Sequence, residues 1–243
     1  MNFHKTVLGL FVFTMAGLFL SGCVTVPNVD ADRAATNRIK KIALLAVPPP
    51  REIPVANLGG ASSAFGLVGG LVQAGVNSSQ AKQFAEFLAS KKIDLAQTFE
   101  AAVVTALKED GFEMTVERNQ KPKVAADGKS DDYSEVKVDA DAILSIWSVT
   151  FGYVSPPNTT HYAPSGVVKV RLLDAKTKAD LYYKTFVIGW KLPMKESVYL
   201  ESDGKFRYKS IGEFTAHEDE AVEGLFETQQ LVARKIKTDL GVR

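Results

Sequence analysis

Two stretches, Ile143–Val154 (ILSIWSVTFGYV) and Val167–Asp174 (VVKVRLLD), decide the fold class of this chain. Both are rich in β-branched and aromatic residues and are bounded by turn formers, which is how strands read. The loop between them, Ser155–Gly166, is built from proline, asparagine and threonine. Leu181–Trp190 (LYYKTFVIGW) follows across Ala175–Asp180, a spacing that predicts an antiparallel hairpin with the second strand.

Working outward, Ile39–Val47 reads as a strand that ends at Pro48-Pro49-Pro50, which cannot continue a ladder. Its unbroken apolar run Ile42–Val47 predicts burial on both faces and a central position. Ser79–Ala89 reads as a helix, and a stronger one follows with Leu95, Phe99, Ala102, Val103, Ala106 and Leu107 on one face. Gly111 stands where a left-handed cap would end it. Phe112–Glu117 alternates as a half-buried strand, whereas Asn119–Asp141 is polar, with a turn at Asp127-Gly128, and reads as a surface excursion. Beyond the central hairpin, Ser197–Tyr208 predicts a last hairpin about Asp203-Gly204. Thr215-Ala216-His217-Glu218 fits a capping box opening a terminal helix whose core stripe is Val222, Leu225, Phe226, Gln229, Val232, Ala233, Ile236 and Leu240. This order predicts an α+β fold, a mixed β-sheet covered by helices in a single domain spanning 39–243.

The N-terminus has the parts of a secretory signal: Lys5, an uncharged run Thr6–Leu20, then small residues before Cys23. That run is short of the roughly 20 apolar residues that cross a bilayer. Residues 1–22 therefore read as a signal peptide. Leu20-Ser21-Gly22-Cys23 resembles the lipobox of bacterial lipoproteins. The resemblance implies cleavage before Cys23, a diacylglycerol on its sulfur and an acyl chain, such as palmitate, on its amine. Several such chains make a stable anchor, at about 0.8 kcal/mol per buried CH₂. Val24 follows the cysteine, so the aspartate associated with inner-membrane retention is absent and the resemblance implies the periplasmic face of the outer membrane. Residues 23–38 read as the lipidated cysteine and a flexible tether. The element order from Ile39 to Leu240 also resembles the small periplasmic α/β domains of the curli secretion channel subunit and of peptidoglycan synthase activators.

Composition narrows the function. Apolar residues are 46% and charged residues 23%, a globular balance. Beyond Lys5, acids and bases are equal in number, so no basic field points to nucleic acid. One cysteine excludes an internal disulfide and a multi-cysteine zinc site. No phosphate-binding loop, nucleophile elbow or zinc helix is present, and no catalytic residue, cofactor or metal is expected. His161 reads as a loop residue and His217 as part of a solvated capping turn. The acids Glu218, Asp219, Glu220 and Glu223 point in different directions along one helix, so they do not converge on one cation. An envelope hydrolase using Glu218 or Glu220 is the reading from another class. Asn77 and Asn158 begin glycan-acceptor triplets that read as chance matches.

Residues 53–81 carry no charge and six glycines, at 59, 60, 66, 69, 70 and 75. Within them Leu58–Val76, if helical, sets an apolar stripe beside a small-residue ridge, a device for close helix approach. It reads as an ordinary loop, a self-association or partner contact, or a membrane contact. The combined expectation is a membrane-anchored lipoprotein that acts by binding or assembly in an envelope complex. Leu58–Val76 and Ser155–Gly166, the latter with Tyr162, are the candidate contacts. The alternative is a self-assembling secretion component that uses the glycine-rich segment.

Overall fold

The computed structural model describes residues 24–50, 52–58, 79–126, 130–157 and 159–241. In chain order its elements are β1 (Val24–Thr25), α1 (Arg33–Thr36), β2 (Lys41–Leu45), β3 (Val55–Asn57), α2 (Ser79–Ser90), α3 (Leu95–Glu109) and β4 (Glu113–Glu117). There follow β5 (Lys123–Val124), β6 (Asp131–Asp132), β7 (Ala142–Ser155), β8 (Ala163–Asp174), β9 (Asp180–Ile188), β10 (Met194–Lys195), β11 (Val198–Leu200), α4 (Ile211–Ala216) and α5 (Glu218–Leu240). The main sheet runs β11-β9-β8-β7-β2-β4, with β3 added to β7. Its β7–β8–β9 meander is antiparallel, and β2, β3, β4 and β11 join in parallel pairings. The α+β class and the mixed sheet stand as expected, and no described helix is long and apolar enough to cross a membrane.

Side-chain alternation divides the strands between two faces. Ile42 and Leu44 of β2, Leu144 and Ile146 of β7, and Val168, Val170 and Leu172 of β8 face the helices α2, α3 and α5 in the main core. Asp94 opens α3 by accepting the N–H groups of Ala96 (2.9 Å) and Gln97 (3.1 Å), a side-chain cap. Gln229 of α5 is buried yet satisfied. Its amide donates to the Leu95 carbonyl (2.8 Å) and accepts from the Thr98 hydroxyl (2.8 Å), locking α5 to α3. Tyr153 crosses the core to donate to the Ala221 carbonyl (2.9 Å), and a side chain at Gly224 would occupy its hydroxyl's place.

Several boundaries differ from expectation. Residues 24–38 are docked and do not form a free tether: β1 pairs in parallel with β10, Val29 bridges Tyr183, and Lys184 holds Asn28 and Asp30. A composition poor in apolar residues hid this, because the docking is made by backbone and polar side chains. The Ser155–Gly166 loop is shorter than it reads, since β8 begins at Ala163 and pairs Pro164 with Tyr153. Tyr162 is buried against Phe214, its backbone bridged to Tyr208, so it offers no contact area. The polar excursion 119–141 buries Tyr133 and Val136 on the sheet. Ser197–Tyr208 is no hairpin: β11 runs parallel to β9, and Asp203 caps a single 3₁₀ turn. The capping box lies one helix earlier, where the Glu213 N–H donates to the Ser210 hydroxyl (3.1 Å) and Glu213 accepts the Lys209 N–H (2.5 Å). Gly111 does end α3 in a left-handed conformation (φ 90°), whereas Gly241 does not. Cys23, the signal, Gly59–Asn77 and the Asp127-Gly128 turn lie outside the described residues.

Two stability predictions follow from the β7 pairings. A Cβ at Gly152 would sit 2.1 Å from the Pro54 carbonyl oxygen, the acceptor of the Tyr153 N–H (2.8 Å). Gly152→Ala should therefore destabilise by about 1–3 kcal/mol, read from urea midpoints. Asp141 clamps the start of β2 to the start of β7 by accepting the Lys41 (3.0 Å) and Lys40 (2.8 Å) N–H groups, which hold its carboxyl below the ordinary 3.8. A folded value below the unfolded one gives stability that is complete above about pH 4 and lost as pH falls through the folded value. Asp141→Asn should flatten that acid-side loss in unfolding midpoints measured across this range.

Candidate functional site

The second face of the sheet is only partly covered. Two small apolar clusters sit on it: Leu45, Tyr133, Val136, Ile143 and Leu173 at one end, and Ala56, Leu58, Val154, Val167, Val187 and Leu192 at the other. Between them lies a groove of about 900 Å³. Its floor is two cross-strand rows, Ser145–Arg171–Tyr183 and, beside it, Trp147–Lys169. Pro27 and Val29 of the docked N-terminal segment form one wall, and Gln120, Lys121 and Pro122 the other.

Arg171 is the organising side chain. Its guanidinium lies 5.1 Å from the Tyr133 ring centroid and 5.4 Å from that of Tyr183. It also engages Asp180 through both Nε and Nη2, the latter at 3.0 Å from Oδ2. A planar cation held in a fork and against two rings is a geometry that lysine cannot reproduce. Burial pushes the phenols of Tyr133 and Tyr183 up, so both stay neutral. The Tyr133 hydroxyl donates to Ser145 Oγ (2.9 Å), which fixes the loop above the floor. Trp147 leans on Tyr183 with ring centroids 6.1 Å apart and stays half-exposed. Lys169 beside it makes no side-chain hydrogen bond or ion pair among the described residues.

The groove also reaches the backbone. β2 accompanies β7 only to Leu144 and β3 joins only at Tyr153, so from Ser145 to Gly152 no described strand lies on that side. The Ala175 N–H bonds the Asp141 carbonyl (2.9 Å). That phase places the bonded β7–β8 pairs at Ile143, Ser145 and Trp147 and turns the N–H and C=O of Ile146 toward the gap. Ile146 accordingly lines the groove although its side chain is buried in the helical core.

The residues singled out from sequence lie elsewhere. His161 is exposed, and His217 stands at the α4–α5 junction with Nδ1 2.8 Å from the Glu213 carbonyl. Burial raises the Glu218 carboxyl, and Asp219 pairs with Lys91 (2.8 Å). Among the described residues no group of three or more His, Cys, Asp or Glu is placed to hold a metal. The groove went unnoticed although its signal is present: in Val168–Leu172 the alternating Lys169 and Arg171 put two cations on one face of a central strand.

No family model matches the chain, and no curated protein is similar to it in sequence. Among the solved structures that match it, three illustrate how distant the similarity is. The PelC dodecamer from Paraburkholderia phytofirmans is 12% identical over 89% of this chain and 96% of the other, with a TM-score of 0.40. Protein XCC0632 from Xanthomonas campestris is 13% identical over 89% and 94%, with a TM-score of 0.42. Lipoprotein GNA1162 from Neisseria meningitidis is 13% identical over 60% and 79%, with a TM-score of 0.26. Similarity at this level transfers no role.

The division of labour between the two cations is testable. Arg171→Ala should cost about 1–2 kcal/mol and speed hydrogen exchange in residues 130–136, because it strips the Tyr133 ring of its partner. Lys169→Ala should change stability by less than about 0.5 kcal/mol, since among the described residues it has no hydrogen bond or ion pair to lose.

Proposed function

We propose that this chain is a lipid-anchored envelope protein, held through Cys23 on the periplasmic face of the outer membrane, that acts by binding a partner polypeptide and performs no catalysis. The observation that carries the reading is the groove on the open sheet face. It combines aromatic area at Trp147 and Tyr183 with, among the described residues, an unengaged cation at Lys169 and a stretch of β7 edge that no strand pairs. An extended segment laid there would gain main-chain hydrogen bonds at Ile146 and side-chain contacts on the floor, the mode of strand addition. The lipobox Leu20-Ser21-Gly22-Cys23 supports the anchor and the compartment.

A photo-crosslinking amino acid at Lys121, on the groove rim, should give a discrete adduct in cells, whereas the same group at Lys82 on α2 should not. Equal adducts from both positions, or none from Lys121, would overturn the groove as the binding surface. Light scattering on the detergent-extracted protein separates the alternative. A ring-sized oligomer would favour self-assembly, and a monomer a tethered binder.

A further inference from the structure

We infer that the turn joining β9 to β11 is a membrane-contact surface that seats the domain directly on the lipid headgroups. The inference rests on the lipidation of Cys23 proposed above. Val24 follows Cys23 in the chain, and consecutive Cα atoms are about 3.8 Å apart. Val24 and Thr25 pair in parallel with Met194 and Lys195, at a strand spacing of about 4.8 Å. The Val26 N–H adds a bond to the Lys195 carbonyl (3.1 Å). An acylated Cys23 therefore has little slack: covalent geometry keeps its Cα within about 9 Å of the β10 backbone, so its chains enter the bilayer beside this turn.

The side chains at that point suit an interface. Trp190 and Met194 pack on an apolar cluster and remain half-exposed, and Pro193 is exposed between them. Lys191 and Lys195 are exposed, with Lys191 Nζ 5.5 Å from the centroid of the half-exposed Tyr199 ring. Tryptophan and tyrosine settle at the headgroup level, and flanking lysines are drawn to anionic lipid. The acid of this turn, Glu196, accepts a hydrogen bond from Asn28 Nδ2 (3.1 Å). The same cluster contains Leu58, the last described residue before the charge-free stretch 59–78.

The chain has two tryptophans, one in the groove and one in this turn, which makes the test direct. The full acylated protein, its N-terminal mass checked first, is placed in vesicles of phosphatidylethanolamine and phosphatidylglycerol that carry bromine on the acyl chains. In Trp147→Phe, the remaining Trp190 emission should be quenched and shifted to the blue. In Trp190→Phe, the remaining Trp147 emission should be unchanged. Hydrogen exchange on the otherwise unaltered protein should show protection of residues 190–195 on these vesicles, and Lys191→Glu with Lys195→Glu should reduce it. An acylated protein whose Trp190 is unquenched, or whose 190–195 amides exchange as they do in detergent, overturns the inference and leaves the anchor standing. A mass without acyl chains overturns the anchor itself.

Discussion

β7 is the constraint on which the rest of the molecule depends. Its 14 residues pair with β8 along nearly their whole length, while the opposite edge is shared by β2 at the start and β3 at the end. Two local devices make this sharing fit. A register shift between Ser148 and Thr150 absorbs one extra residue, which bends and twists the strand. Gly152 lets the Pro54 backbone close over the strand where β3 arrives. The gap left between the two partners is thus a product of the same arrangement that builds the sheet.

The two faces of that sheet differ in kind. The helical face is sealed by aliphatic and aromatic packing, and two of its buried polar groups, Gln229 and Tyr153, are spent on internal bonds. The other face keeps arginine, lysine, tyrosine and tryptophan in cross-strand rows under walls made of irregular chain. Buried cations are costly unless paired. Half-buried Arg171 is paired with Asp180 within the fold, whereas half-buried Lys169 keeps its contact with water instead.

Strong periodic signals were legible in the sequence. The burial of β2 on both faces, the α3 and α5 stripes and the β8–β9 hairpin all follow from apolar spacing, because burial of one face dominates the energetics of such elements. What was not legible depends on long-range pairing. Nothing local distinguishes Val24–Asp30 from a free linker, since its partners Tyr183, Lys184 and Met194 lie over 150 residues away. Tyr133 and Val136 are single apolar residues among charges and carry no periodicity. The start of α5 at Glu218 was legible from its acids, but the match at Thr215 caps nothing, and the Ser210 and Glu213 pair that opens the short α4 was passed over. The groove shares this origin, since it is assembled from seven separated stretches of chain and only the two cations of β8 announce it.

The docked N-terminus also sets the working radius of the domain. Fifteen residues free to extend could carry it about 50 Å from a lipid anchor at Cys23. Folded back along β9 and β10, the same residues give it almost no reach. Pro27 and Val29 belong at once to this docked segment and to the groove wall, so the anchor proposed at Cys23 would hold the groove near the plane of the bilayer. A partner of a protein anchored in that way would itself have to come to the membrane, and the encounter would become a search in two dimensions.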